Sequence, residues 1–72
     1  MSEYSRITME RIRQIAGESS LSLDELGLKM GYPKASARKS AWQFLNKTTD
    51  PRLSMLKKFA DAVGVDIGKL LN

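Results

Sequence analysis

Apolar residues in this chain recur at helical spacing, every three or four positions, with no sustained strand-type alternation of apolar and polar residues, so the pattern calls for helices. Met9, Ile12, Ile15 and Ala16 fall on one face of a first helix predicted from about Thr8 to Glu18. Arg11, Arg13 and Gln14 turn outward, and Gly17 with Ser19-Ser20 marks its end. The second helix opens on Ser22-Leu23-Asp24-Glu25, a capping box in which the Ser22 hydroxyl accepts from the Glu25 amide and the Glu25 carboxylate reaches back. Asp24 suits the positive end of the helix dipole. Leu23, Leu26 and Met30 form the buried stripe, and Gly31 ends the helix by taking a left-handed conformation. At about nine residues this helix is too short to stand alone and must pack on its neighbours.

Pro33 opens the predicted third helix, because it fixes its own backbone and pushes Tyr32 into an extended conformation. The helix reaches about Asn46. Ala37, Ala41, Phe44 and Leu45 form its buried stripe; Ser36, Lys39 and Gln43 lie opposite, Ala35 and Trp42 on one flank, and Arg38 beside the stripe with reach outward. Lys47 to Thr49 read as a polar loop. Asp50 is the expected N-cap of a fourth helix with Pro51 at its first position. Leu53, Leu56, Phe59, Ala60 and Val63 line the inner face of that helix, and Gly64 ends it. Asp66 then caps a short fifth helix containing Ile67, Leu70 and Leu71. The expected fold is all-α, a single five-helix domain over residues 1–72, with Ile12, Ile15, Leu26, Met30, Ala41, Phe44, Leu45, Leu53, Leu56, Ala60 and Val63 in one core.

Size and composition narrow what such a domain can do. A chain of 72 residues buries only about 60% of the surface its unfolded form exposes. It contains no cysteine and no histidine, so neither a disulfide nor a zinc site built from those residues can brace it. Catalysis by a Cys or His nucleophile–base pair is excluded as well, and no cofactor is expected. Ser36-Ala37-Arg38-Lys39 and Ser54-Met55-Leu56-Lys57 both fit the Ser-x-x-Lys pattern of some acyl-transfer enzymes. Two matches in so short a chain show how cheap the pattern is, and its companion motifs are missing, so no enzyme is expected. No apolar run approaches the roughly 18–20 residues of a membrane span. Met1 to Arg6 lack the basic start and apolar run of a signal peptide. A cytoplasmic protein with no membrane contact is the expectation.

Charge is unevenly spread. Lys34, Arg38, Lys39, Lys47, Arg52, Lys57 and Lys58 face a single acid, Asp50, within residues 34–58, a net of +6, whereas the segments before and after each carry a net of −1. Positive charge gathered on one stretch is the footprint of a polyanion binder; the plainer alternative is a solvated basic face. Two short helices joined by a glycine turn, the second with a basic polar face, compose a helix-turn-helix. A helix about 10–12 Å across fits the major groove of DNA, and the N-terminal amides of the preceding helix can meet a phosphate.

The residues also resemble a known family. Leu21-Ser22-Leu23-Asp24-Glu25-Leu26-Gly27-Leu28-Lys29-Met30-Gly31, Phe44-Leu45-Asn46-Lys47-Thr48-Thr49-Asp50-Pro51-Arg52-Leu53, Ala62-Val63-Gly64-Val65-Asp66 and Leu70-Leu71 occur in the order found in the lambda-repressor-like (Cro or Xre type) five-helix DNA-binding domains. The resemblance spans about Ile7 to Leu71, with the helix-turn-helix at about residues 22–46. It departs in three places. The family usually has a small residue such as Ala where Gly27 stands, a site of close helix packing. It often has a phosphate-touching Gln where Leu23 stands, a role Leu23 cannot take by side chain. The stretch from Gly31 to Ala41 is about four residues longer than usual, roughly one helical turn. Either the third helix starts earlier or the turn is wider and the helix begins near Ser36; Pro33 favours the first.

The resemblance implies a sequence-specific binder of double-stranded DNA, a transcriptional regulator of repressor type. One short recognition helix reads few base pairs, so a homodimer on DNA is the expected solution. Lys39 and Gln43 are the first candidates for base edges, since Lys reads guanine and Gln reads adenine; Arg38 and Ser36 follow. Lys34, Asn46, Lys47, Thr48 and Thr49 are candidates for phosphates. Trp42 either meets sugar and thymine methyl groups or packs under a neighbouring helix, with packing favoured. The rival reading is a protein-binding module, such as an antitoxin or a regulator subunit, in which helices grip a protein partner. An exposed apolar face would favour it; Ile67, Leu70 and Leu71 near the terminus offer a dimer contact instead.

Overall fold

The computed structural model describes residues 3–71, and the side chains over 8–70. Among them it has five helices and no strand: α1 Glu3–Glu18, α2 Leu23–Lys29, α3 Ala37–Lys47, α4 Leu53–Val63 and α5 Gly68–Leu71. The all-α expectation therefore holds. Each helix gives one apolar face to a common core of Met9, Ile12, Leu26, Met30, Ala41, Phe44, Leu45, Leu56, Phe59, Ala60 and Leu70. Phe44 and Phe59 meet at its centre with ring centroids 5.7 Å apart and planes tilted by 39°, a geometry that favours aromatic pairs.

The helix ends follow local chemistry. Ser22 and Glu25 form the expected capping box, with Glu25 N–H donating to Ser22 Oγ at 3.1 Å and Ser22 N–H donating to Glu25 Oε1 at 3.0 Å. Gly31 takes φ 97°, and Tyr32 N–H donates back to the Gly27 carbonyl while Gly31 N–H donates to that of Leu28, each at 3.0 Å. This pair of bonds is the Schellman closure, and it satisfies carbonyls that the end of α2 would otherwise leave open. Gly64, at φ 77°, closes α4, with the Val65 N–H donating to the Ala60 carbonyl. Asp66 Oδ1 accepts from the Gly68 amide at 3.1 Å, as expected for the cap of α5.

Five expectations need correction. α1 begins at Glu3 rather than Thr8, since nothing between Glu3 and Ile7 is a glycine or proline that would stop a helix; Thr8 is buried within it. α3 begins at Ala37, not Pro33, so the extra residues belong to the connection. Residues 30–36 link the two helices, and Pro33 to Ser36 form an isolated turn closed by Ser36 N–H on the Pro33 carbonyl. Continuing α3 back through this turn would carry Lys34 onto the buried stripe one turn ahead of Ala37; Lys34 stays exposed instead. α4 starts at Leu53 with Arg52, not Asp50, at the N-cap. Leu53 is 66% exposed: its helical phase is correct, but in the first residue of α4 it overhangs the core. Finally, Leu70 is only 1% exposed and belongs to the core, which removes it from the expected dimer contact. Ile67 packs against the same core, and the Leu71 side chain lies outside the described residues.

The contact that sets the pitch of α3 is at Gly27. A Cβ there would stand 2.5 Å from the Ala37 carbonyl carbon and closer still to its oxygen, so backbone meets backbone where α2 crosses the start of α3. Arg13 Nη1 ties the far end, donating to the Leu45 carbonyl at 3.1 Å.

Two stability predictions follow from this packing. Phe44→Ala should cost about 3–5 kcal/mol in chemical denaturation, as large core truncations do, whereas Leu53→Ala should leave the midpoint nearly unchanged; equal losses would place Leu53 in the core after all. Gly27→Ala should destabilise the domain, and an unchanged melting temperature would show that α2 and α3 part easily.

Candidate nucleic-acid interface

α3 carries the sequence Ala-Arg-Lys-Ser-Ala-Trp-Gln-Phe-Leu-Asn-Lys, with three cations and no acid. Its four buried residues, Ala37, Ala41, Phe44 and Leu45, occupy one face. Lys39, Gln43 and Asn46 consequently form an exposed ridge on the other. Arg38 and Lys47 are exposed as well. Lys47, expected in the loop, is the last residue of α3, where a cation suits the negative helix end.

The remaining candidates are less closely gathered. Lys34 is exposed in the turn before α3, and Thr49 is exposed after it. Thr48 is half-buried at the C-cap of α3. Ser36 occupies the N-cap position without capping by its side chain; it is half-buried, and its hydroxyl lies 3.5 Å from the Pro33 carbonyl. Asn46 Nδ2 donates to the Trp42 carbonyl at 2.9 Å, which fixes the side-chain amide against the helix.

Lys39 and Gln43 share a ridge but open onto different grooves. On one flank, Arg38 and Lys39 join Leu23, Ala35 and Trp42 around a shallow groove of about 440 Å³. On the other, Gln43, Lys47 and Thr48 join Tyr32, Ser40, Phe44 and Met55 around one of about 350 Å³. The Tyr32 hydroxyl donates to Met55 Sδ at 3.8 Å along the second. Trp42, favoured from the sequence as a packed residue, is 45% exposed, and the Lys47 ammonium stands 5.8 Å from its ring centroid. The signal was present in the helical phase: Trp42 lies four residues after Arg38 and three after Lys39, with them and not with Phe44.

The N-terminus of α2 is already committed. The Glu25 amide bonds to Ser22 Oγ, and the exposed carboxylates of Asp24 and Glu25 occupy the first turn. An anion approaching the amides there would meet two like charges, so this end of α2 is poorly suited to the phosphate contact expected of it. Among the described residues, no group of three or more His, Cys, Asp or Glu side chains is gathered to hold a metal ion, and no helix is long and apolar enough to cross a membrane. Comparison with protein-family models, with curated proteins and with solved structures gives no match.

The capping box carries its own pH signature. Hydrogen bonds from the Ser22 backbone and then its hydroxyl, helped by the charge of Lys29, hold the Glu25 carboxyl below its ordinary value. A depressed carboxylate contributes stability that is fully present above its unfolded-state pKa and is lost as pH falls through the folded-state value. Thermal melts of the parent and Glu25→Ala should therefore differ most near neutral pH and converge in acid below the ordinary carboxylate range. A gap independent of pH would show that the carboxylate charge plays no part.

Proposed function

We propose that this chain is a sequence-specific binder of double-stranded DNA, a helix-turn-helix domain of the lambda-repressor-like kind that regulates transcription and reads the major groove with α3. The observation that carries the reading is the division of α3 into a fully buried apolar face and an exposed acid-free face bearing Lys39, Gln43 and Asn46, with Arg38 and Lys47 beside them. Such a face offers donors to base edges and cations to phosphates. Lys39, Gln43 and Arg38 are assigned to bases; Lys34, Asn46, Lys47, Thr48 and Thr49 are assigned to the backbone. Ser36 is a weaker base candidate, because it precedes the helix and leans toward Pro33. One helix of 11 residues reads few base pairs, so two copies on a two-fold-symmetric site would supply the length that specificity needs.

A protein partner is the second reading, favoured by the exposure of Leu28 at 45% and Leu53 at 66%. Salt separates the two, because DNA affinity falls steeply as salt rises and an apolar interface need not follow.

Selection of bound sequences from random duplex DNA, followed by titrations of matched and scrambled duplexes at several salt concentrations, tests the proposal. Gln43→Ala should cost about 1–3 kcal/mol on the matched duplex and relax preference at one base position. Lys47→Ala should weaken both duplexes alike and lower the salt slope by about one unit. Equal losses on both duplexes for Gln43→Ala would remove the base-reading role, and failure of the parent to bind any duplex near 100 mM salt would remove the DNA reading itself.

A further inference from the structure

The groove on the Arg38 side of α3 has a composition that the polar ridge does not. Trp42 is 45% exposed and lies with Leu23 and Ala35 as the apolar wall, while Arg38 and Lys39 supply the charge; the lining contains no acid. A half-exposed tryptophan between two cations suits a small apolar group that sits among anions. On duplex DNA the group of that description is the 5-methyl of thymine, which projects into the major groove within reach of the flanking phosphates. The Lys47 ammonium stands 5.8 Å from the centroid of the ring, which adds a third cation beside the indole.

We propose that Trp42, with Leu23 and Ala35 beside it, is a specificity-determining residue that recognises a thymine methyl group, while Arg38 and Lys39 hold the adjoining backbone and base edge. This rests on the DNA reading given above and adds a preference that hydrogen bonds from Lys39 and Gln43 would not create. The partner is duplex DNA because charge complementarity favours a polyanion on this face.

The test replaces each thymine of the selected duplex, one at a time, by deoxyuridine, which removes the methyl group and leaves the hydrogen-bonding edge intact. The parent should lose about fourfold in affinity at one position in each half-site, the scale set by one buried carbon. Trp42→Ala should bind the thymine and uracil duplexes equally, whereas Trp42→Leu, which keeps an apolar side chain, should retain part of the difference. Because Trp42 is half exposed, both variants should melt near the parent, and circular dichroism checks this.

The inference is overturned if the parent is indifferent to uracil at every thymine, if the selected site contains no thymine, or if Trp42→Ala keeps the full difference; the DNA reading survives each of these results. Parent protein that binds no duplex overturns both. An acidic, leucine-bearing peptide that binds the parent but not Trp42→Ala, and displaces no DNA, would assign the groove to a protein instead and overturn the inference.

Discussion

The absence of a side chain at Gly27 lets α2 and α3 touch backbone to backbone, and the placement of everything on α3 follows from it. With any Cβ at that position, the Ala37 carbonyl would have to withdraw, and α3 would swing away from Leu26 and Met30. A contact of this kind is stiff, because neither partner has a rotamer to relax. The Arg13 bond to the Leu45 carbonyl fixes the other end of the helix. Between these two points α3 has little freedom to roll, so the direction of its outward ridge is set by the core and not by the solvent.

A core this small leaves α3 no apolar residue to spare except Trp42. Ala37, Ala41, Phe44 and Leu45 are all buried, and a jigsaw of alanines against two phenylalanines gives close packing with little total volume. Position by position, what is not needed inside is free to be polar outside, and the exposed face uses that freedom for cations, amides and hydroxyls. The exposed indole breaks the pattern. A large apolar surface left in water gains nothing for the isolated fold, which is why its neighbours matter more than its size.

Much of this was legible in the sequence. Periodicity placed Ile12, Leu26, Met30, Ala41, Phe44, Leu45, Leu56 and Ala60 in the core, because a stripe at helical spacing must face something; Ile15 and Val63, expected with them, pack half-buried at its edge, while Met9 and Phe59 belong inside it. Ser22 with Glu25, and the glycines at 31 and 64, announced their helix ends through local bonds that need no tertiary partner. The failures lie where local signals compete with tertiary ones. Pro33 fits the first turn of a helix as well as it fits a turn that merely precedes one. The choice is made by the Gly27–Ala37 contact, which lies ten residues apart along the chain and has no local signature. Asp50-Pro51 misled in the same way. Leu53 shows that a correct phase does not guarantee burial at the end of an element. Trp42 is the instructive case for the site: aromatics tend to be buried, but its angular position beside Arg38 and Lys39 leaves it 45% exposed.

The two helix starts show where the chain favours its own stability and where it does not. α2 opens with Asp24 and Glu25, the charges that a helix N-terminus attracts. α3 opens with Ala37-Arg38-Lys39 and has no acid in its first turn, so two cations sit at the end of the helix that repels them. Nor does Ser36 cap that end with its side chain. An isolated fold would gain from the arrangement used on α2, and a single acid at position 38 or 39 would supply it. In the proposed DNA complex, an anion near the start of α3 would offset this cost, because the positive helix end and the cations of its first turn then carry the sign that attracts it. The local cost in the free domain and the gain that the proposed DNA complex would bring have the same origin, the dipole at the start of α3.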